Sequence, residues 1–176
     1  MYLSRVAAIE GGCSETTPAF NVNRLCGSGL QAVISASQAI LLGDTDVAIG
    51  GGAENMSRAP YVSVTNRWGA RMGDASMVDM MLGALHDPFH RIHMGVTAEN
   101  IARKWGISRE AQDSLAVESH HRAERAWVAD IFADQIVPIV QKGRKGDIVF
   151  SKDEHFRAGV TLADMQKLKP AFVKEN

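Results

Sequence analysis

A chain of 176 residues, 45% of them apolar, has room for one ordinary globular domain, or for one and part of another, and its composition carries no sign of disorder. A formal net charge of −1 removes any electrostatic case for nucleic acid or a membrane surface as partner. The two cysteines, Cys13 and Cys26, are too few for a disulfide framework, and a reactive thiol needs a reducing compartment, so a cytoplasmic location is expected.

The first ten residues lack a charged segment followed by an apolar core, which argues against a signal peptide, and Met1 is compatible with an internal methionine of a longer protein. Leu3, Val6, Ala7 and Ile9 predict a short helix that stops at Gly11-Gly12. Cys13 follows in a loop of Gly, Ser and Thr, with nothing beside it to activate the sulfur. Beyond Pro18, Phe20 and Val22 alternate with small or polar residues and predict a strand running to Cys26. Gly27-Ser28-Gly29 then turns the chain into an uncharged run as far as Gly43, a helix that must be covered on nearly every side. It is too short and too rich in Ser and Gln to span a membrane.

Cys26 therefore sits on a turn that opens a helix. Unsatisfied backbone N–H groups and the positive end of the helix dipole favour the ionised, nucleophilic sulfur there. A free cysteine is more often a small buried hydrophobe, and it is the Gly-Ser-Gly turn that marks Cys26 as the candidate nucleophile. Its own N–H is a candidate donor to the oxyanion formed when a thiolate attacks a carbonyl.

Gly43-Asp44-Thr45-Asp46 reads as a C-cap and turn, and Val47-Ala48-Ile49 as a short buried strand ending in Gly50-Gly51-Gly52. Strand, helix, strand is a βαβ crossover, which predicts parallel pairing in a sheet with helices on its faces. Two recognisable strands do not make a stable parallel sheet, a first sign that the chain is incomplete. The glycine run lacks the Gly-Lys-Ser/Thr ending of a phosphate loop, and is expected to let the backbone pass close to the Cys26 turn. From Arg58 to Asp79 the composition shifts to Pro, Gly, Arg, Asn and Met, with Tyr61 and Trp68 as surface aromatics, and reads as a connector outside the compact core.

After the apolar patch Val78 to Leu85, His86, Asp87, His90 and His93 crowd together and invite a metal reading. Pro88 interrupts the helix that would gather the rings, so no metal site is expected. Ala98, Ile101, Ala102 and Trp105 predict a helix from Met94 ended by Gly106. Ser108 and Glu110 open a second helix to Val128, burying Ala111, Leu115, Ala116, Ala123 and Trp127 and leaving His120 and His121 solvated. Ile136 to Val140, with Pro138 suited to an edge, pairs with Ile148-Val149-Phe150 across a basic turn in which Lys142 is solvated. Thr161 with Asp164 three residues on caps a last short helix.

Three runs, Asn23-Arg24-Leu25-Cys26-Gly27-Ser28-Gly29-Leu30-Gln31-Ala32, Gly50-Gly51-Gly52-Ala53-Glu54-Asn55-Met56-Ser57 and His93-Met94-Gly95-Val96-Thr97-Ala98-Glu99-Asn100, resemble the acyl-enzyme region of a thiolase. The resemblance runs end to end in the family's order and spacing, and is closest to the bacterial β-ketothiolases that condense or cleave acyl-CoA. It implies an α/β fold, a layered α/β/α core incomplete here, with an inserted, mostly helical loop domain. Residues 1–57 would be part of the N-terminal core half with the nucleophile. Residues 58–176 would be the loop domain, with a tetramerisation loop at about 60–80 and a CoA-covering region at 81–176. Glu54 would be buried and hydrogen-bonded beside the Cys26 turn; Asn55 stands where the family more often has serine.

The same resemblance places Leu85, His93 and Met94 along the pantetheine channel, Arg157 and Phe172 at the adenine end of CoA, and Arg144 or Lys145 near its phosphates. It implies coenzyme A as substrate carrier, no cofactor besides, and a homotetrameric full-length protein, a dimer of dimers. It also implies what is missing. The family's activating histidine lies in Gly-His-Pro, its second cysteine in Cys-x-Gly-Gly-Gly-x-Gly and an oxyanion-site asparagine in Asn-Glu-Ala-Phe, and none of these occurs here. The chain alone is thus expected to be inactive. The competing readings are a ketoacyl synthase of the same fold, disfavoured by the run from His93 and the basic loop, and a non-catalytic CoA-binding or interaction module derived from a thiolase.

Overall fold

The computed structural model describes residues 2–173, and close contacts divide the chain into two units, Met1–His86 and Asp87–Asn176. In the first, α1 (Leu3–Glu10) ends at Gly11 as expected, with Gly12 in the left-handed region at φ +90°. The Arg5 guanidinium ties the following loop back to α1, donating to the carbonyls of Thr17 at 2.5 Å and Glu15 at 2.7 Å. The uncharged run forms α2 (Ser28–Leu41), ended by Gly43 at φ +78° with the Asp44 N–H donating to the Ala39 carbonyl at 3.0 Å. Only a residue tolerant of positive φ closes a helix this way without strain.

The parallel pair expected around α2 does not form. Neither the segment reaching Cys26 nor Val47-Ala48-Ile49 joins a sheet among the described residues. A parallel pair gains its stability from neighbouring strands and from helices on both faces, and here neither segment has such a neighbour. The connector, by contrast, is more ordered than its composition suggests. β1 (Tyr61–Ser63) pairs antiparallel with β2 (Met77–Asp79), Tyr61 opposite Asp79 and Ser63 opposite Met77. Asp79 then caps α3 (Met80–Ala84), accepting from the N–H groups of Met81 at 2.9 Å and Leu82 at 3.4 Å.

No described residue of the first unit is buried. The cover expected for α2 is missing: Leu41 is 84% and Ile49 88% exposed. Large apolar side chains left exposed in number, as here at Leu41, Leu42, Val47 and Ile49, mark an interaction surface.

The second unit carries α4 (Met94–Trp105), closed by Gly106 at φ +64°, and α5 (Arg109–Val128), capped by the Ser108 hydroxyl, which accepts from Ala111 at 3.2 Å. β3 (Ile139–Gln141) and β4 (Ile148–Phe150) form the expected antiparallel hairpin, and α6 (Leu162–Gln166) packs on α5. Among the described residues, Val160, Met165 and Asp113 are the buried ones. The packed stripe of α5 runs through Arg109, Asp113, His120, His121 and Glu124, each bonded to its own helix or to the 157–168 stretch. Ala111 and Leu115 lie off that stripe and are exposed, contrary to their expected burial. His120 and His121, expected to be solvated, are half-buried on it.

At the start of α6 the Thr161 hydroxyl accepts from the Asp164 N–H while the Asp164 carboxylate accepts from the Thr161 N–H, at 3.3 and 3.1 Å. The Thr161 hydroxyl, then Lys167, then the Thr161 N–H hold the Asp164 carboxyl down from 3.8 to about 2. Its folded value lies below the unfolded one, so its contribution is complete above pH 3.8 and disappears as pH falls through about 2. A carboxyl-resolved NMR titration is expected to place the Asp164 midpoint near the lower value, and to return it toward the upper one in Thr161→Ala.

Candidate functional site

The turn that carries Cys26 is closed by short-range hydrogen bonds of its own residues. The Gly27 N–H donates to the Arg24 carbonyl at 3.0 Å and the Ser28 N–H to the Leu25 carbonyl at 3.1 Å. Ser28 works in both directions, its hydroxyl accepting from the Arg24 N–H at 2.9 Å and donating to the Leu25 carbonyl at 2.7 Å. Asn23 Oδ1 accepts from the Leu25 N–H at 3.0 Å, and the Arg24 guanidinium reaches forward along α2 to Gln31 Oε1 at 2.8 Å. This set of bonds holds Leu25 at φ +48°, a conformation a leucine rarely adopts. The turn throws Cys26 outward, exposed, two positions ahead of the first residue of α2. Gly27 at the N-cap position has no side chain with which to cap the helix, and among the described residues the Cys26 N–H donates to nothing.

The glycine run behaves as expected. A methyl group on Gly50 would lie 2.9 Å from the backbone N and Cα of Val33, and one on Gly52 3.8 Å from the Gly29 Cα, so the run passes directly over the first turns of α2. Gly50→Ala sets two backbones against each other and is expected to destabilise the first unit by about 1–3 kcal/mol, measured as a lower denaturation midpoint. Glu54 departs from expectation. It is exposed, with its carboxylate accepting from the Asn55 N–H at 3.2 Å, because nothing in the first unit covers residues 51–58. Leu85 follows α3, half-buried.

In the second unit the structure brings three expected residues together. His93 is the N-cap of α4, its Nδ1 accepting the Gly95 N–H at 3.0 Å, which leaves the ring proton on Nε2. The Phe172 ring stacks on His93, centroids 4.8 Å apart and planes 27° apart, and lies where a Cβ on Gly95 would be. Met94 is next along the chain at the same helix start, partly exposed. The crowded stretch before it is a turn closed on itself: Asp87 accepts from the His90 N–H at 2.6 Å, and the Asp87 N–H donates to the Ile92 carbonyl at 2.9 Å. No helix spans it, as Pro88 implies.

Arg144 and Lys145 form the tip of the β3–β4 hairpin, in a turn closed by the Gly146 N–H on the Gly143 carbonyl at 3.2 Å. Lys142 is solvated as expected, its side chain 82% exposed, and it pairs with Asp147 at 2.5 Å across the base of that turn. Arg157 is exposed on the stretch leading to α6, and its N–H donates to His120 Nδ1 at 3.1 Å. Among the described residues the Arg144, Lys145 and Arg157 side chains form no ion pair. The supporting residues Asn23, Ser28, His120 and Glu124 escaped the sequence reading. Only the Asn-x-x-x-x-Ser spacing around the cysteine signals the first two, since such side chains favour local turn bonds.

Residues 1–175 match the thiolase N-terminal domain. The chain is 69% identical over its whole length to the β-ketothiolase BktB of Cupriavidus necator, of which it spans 45%, and 49% identical over 173 residues to an acetyl-CoA acetyltransferase of the same organism, of which it spans 44%. Among solved structures, an acetyl-CoA acetyltransferase from Syntrophomonas wolfei superposes with a TM-score of 0.92 at 43% identity, covering 99% of this chain and 44% of that one. Human mitochondrial 3-ketoacyl-CoA thiolase gives 0.92 at 40% identity, covering 98% and 44%. The chain thus spans less than half the length of the relatives it matches. A match to one family over 175 residues, and to its solved folds over nearly the whole chain, shows that this chain belongs to the thiolases and has their α/β fold.

Proposed function

We propose that this chain is the nucleophile-bearing part of a β-ketothiolase that moves acyl groups reversibly between coenzyme A thioesters. The observation that carries the reading is the exposed Cys26, held outward by a closed turn directly ahead of a helix with no capping side chain. The Cys26 sulfur attacks the carbonyl carbon of an acyl-CoA, and the tetrahedral oxyanion collapses to an enzyme thioester as the CoA thiolate leaves and takes a proton. In condensation the α-carbon of a second acyl-CoA, after losing a proton, attacks that thioester and releases the sulfur; thiolysis is the reverse. The Cys26 N–H is a suitable donor to the oxyanion. The histidine and second cysteine that move the protons are absent from these 176 residues, so the chain alone is inactive.

Leu85, His93 and Met94 serve the pantetheine arm. Arg157 and Phe172 serve the adenine end, and Arg144 or Lys145 the phosphates, which a cationic hairpin tip attracts. Residues 58–176 act as the loop domain, with the β1–β2 hairpin inside its tetramerisation loop, and the full-length protein is a dimer of dimers. It needs no metal or cofactor beyond coenzyme A as carrier and works in the cytoplasm; among the described residues no helix is long and apolar enough to cross a membrane. A thiolysis assay with a β-ketoacyl-CoA tests the reading: the full-length polypeptide turns over and the 176-residue chain does not. Turnover by the isolated chain at an ordinary enzyme rate overturns the division of labour. CoA binding by a full-length polypeptide that forms no acyl-enzyme favours the non-catalytic module instead.

A further inference from the structure

We infer that His120, His121 and Glu124 are positioning residues for Arg157, a clamp on one side of α5 that sets where this guanidinium is presented to coenzyme A; the inference rests on the CoA reading of Arg157. The clamp has three points. The Arg157 N–H donates to His120 Nδ1 at 3.1 Å, the Gly159 N–H to Glu124 Oε2 at 3.0 Å, and His121 Nε2 donates to the Val160 carbonyl at 2.8 Å. Helical spacing puts positions 120, 121 and 124 within about one turn of each other on the same side of α5, and the backbone they grip is the four residues that begin with Arg157.

The geometry has the features of a fixed mount. Gly159 lies at φ +65°, so the loop reverses where Glu124 holds it, and Val160 behind it is one of the few buried residues among those described. The Trp127 ring, one helical step beyond Glu124, stacks on Phe156 with centroids 6.3 Å apart, bracing the loop from the residue before Arg157. Backbone is thus held from 156 to 160 while the Arg157 side chain stays exposed and without an ion pair among the described residues. A long flexible cation binds the face of an adenine ring more tightly when its backbone is already ordered, because less freedom is lost on binding. The two histidines use opposite nitrogens. His120 accepts at Nδ1 and carries its proton on Nε2, whereas His121 donates from Nε2, so different amides replace them: asparagine imitates a δ nitrogen and glutamine an ε nitrogen.

The test uses the full-length polypeptide and measures CoA binding by calorimetry and turnover by steady-state kinetics. His120→Leu is expected to weaken CoA about five- to twentyfold and to raise KM with kcat nearly unchanged, the pattern of lost uniform binding. His120→Asn, which restores the acceptor, is expected to stay near wild type, and it remains informative if the leucine variant folds poorly. In an Arg157→Gln background His120→Leu is expected to add nothing further, since a mount without its cation has nothing to present. An equal loss in both backgrounds makes His120 merely structural and overturns the positioning role. Unchanged amide exchange at Arg157 in His120→Leu overturns the clamp itself. If Arg157→Gln binds CoA as tightly as wild type, the CoA reading of Arg157 fails, and the positioning role with it, while the exchange measurement still reports separately on the clamp.

Discussion

Cys26→Ser in the full-length polypeptide is expected to lower thiolysis roughly 10⁴-fold or more while leaving CoA affinity unchanged. A serine hydroxyl is nearly isosteric with the thiol but is not ionised at neutral pH without a dedicated base, and the bonds of the turn involve Asn23, Arg24, Leu25, Gly27 and Ser28 rather than the side chain of residue 26. The variant therefore keeps the turn and loses the chemistry. Intact-mass and peptide mapping check it: wild type incubated with acetyl-CoA gains an acetyl group on the peptide containing Cys26, and the variant gains none. A loss of less than about tenfold, or an acyl group on another residue, removes Cys26 from the nucleophile's place.

The second large effect concerns stability. Arg109 holds the start of α5 to the end of α6: its Nε donates to Asp113 Oδ1 at 2.8 Å, and its Nη2 to the carbonyls of Met165 and Leu168 at 2.8 and 2.9 Å. Asp113 is buried, so Arg109→Leu strands its carboxylate and frees the part-buried Met165 carbonyl, while the exposed Leu168 carbonyl turns to water. The expected cost is about 1–3 kcal/mol, because the Asp113 carboxylate loses its partner while the guanidinium, 40% exposed, was already in part screened by solvent. The double variant Arg109→Leu/Asp113→Leu is expected to recover much of the loss. Urea unfolding followed by the fluorescence of Trp105 and Trp127 measures both, and a single-variant loss below about 0.5 kcal/mol contradicts the account. The neighbouring pairs of Glu118 with Arg122 and Arg125 lie on exposed helix surface. They hold the Glu118 carboxyl below its ordinary range, Arg122 more than Arg125, yet solvent screening makes them minor contributors to stability.

What the sequence revealed and what it hid divide along physical lines. Helices bounded by strong local signals were legible: Gly11, Gly43 and Gly106 as stops, Ser108 as a cap, Thr161 with Asp164 as a reciprocal pair. The β3–β4 hairpin was legible for the same reason. The strands beside α2 were misread, because a buried apolar run becomes a strand only when neighbours supply its hydrogen bonds, and the first unit supplies none. The β1–β2 pair was missed because Tyr61-Val62-Ser63 and Met77-Val78-Asp79 are too short to show alternation. At the candidate site the turn with its outward cysteine and the helix it opens were legible from Cys26-Gly27-Ser28-Gly29. The supporting bonds were not, since a histidine spaced to reach a loop some 37 residues away looks like any solvated histidine until the loop is in place.

Leu25 carries a consequence for anyone who tries to make this protein more heat-resistant. A leucine at φ +48° costs on the order of 1–2 kcal/mol relative to a residue at ease in the left-handed region. Selection for thermal tolerance alone should therefore favour asparagine at position 25. The same exchange places a competing amide beside the Asn23 and Ser28 contacts that aim the sulfur, so such variants are expected to outlast the parent in a heat challenge and fall behind it in turnover.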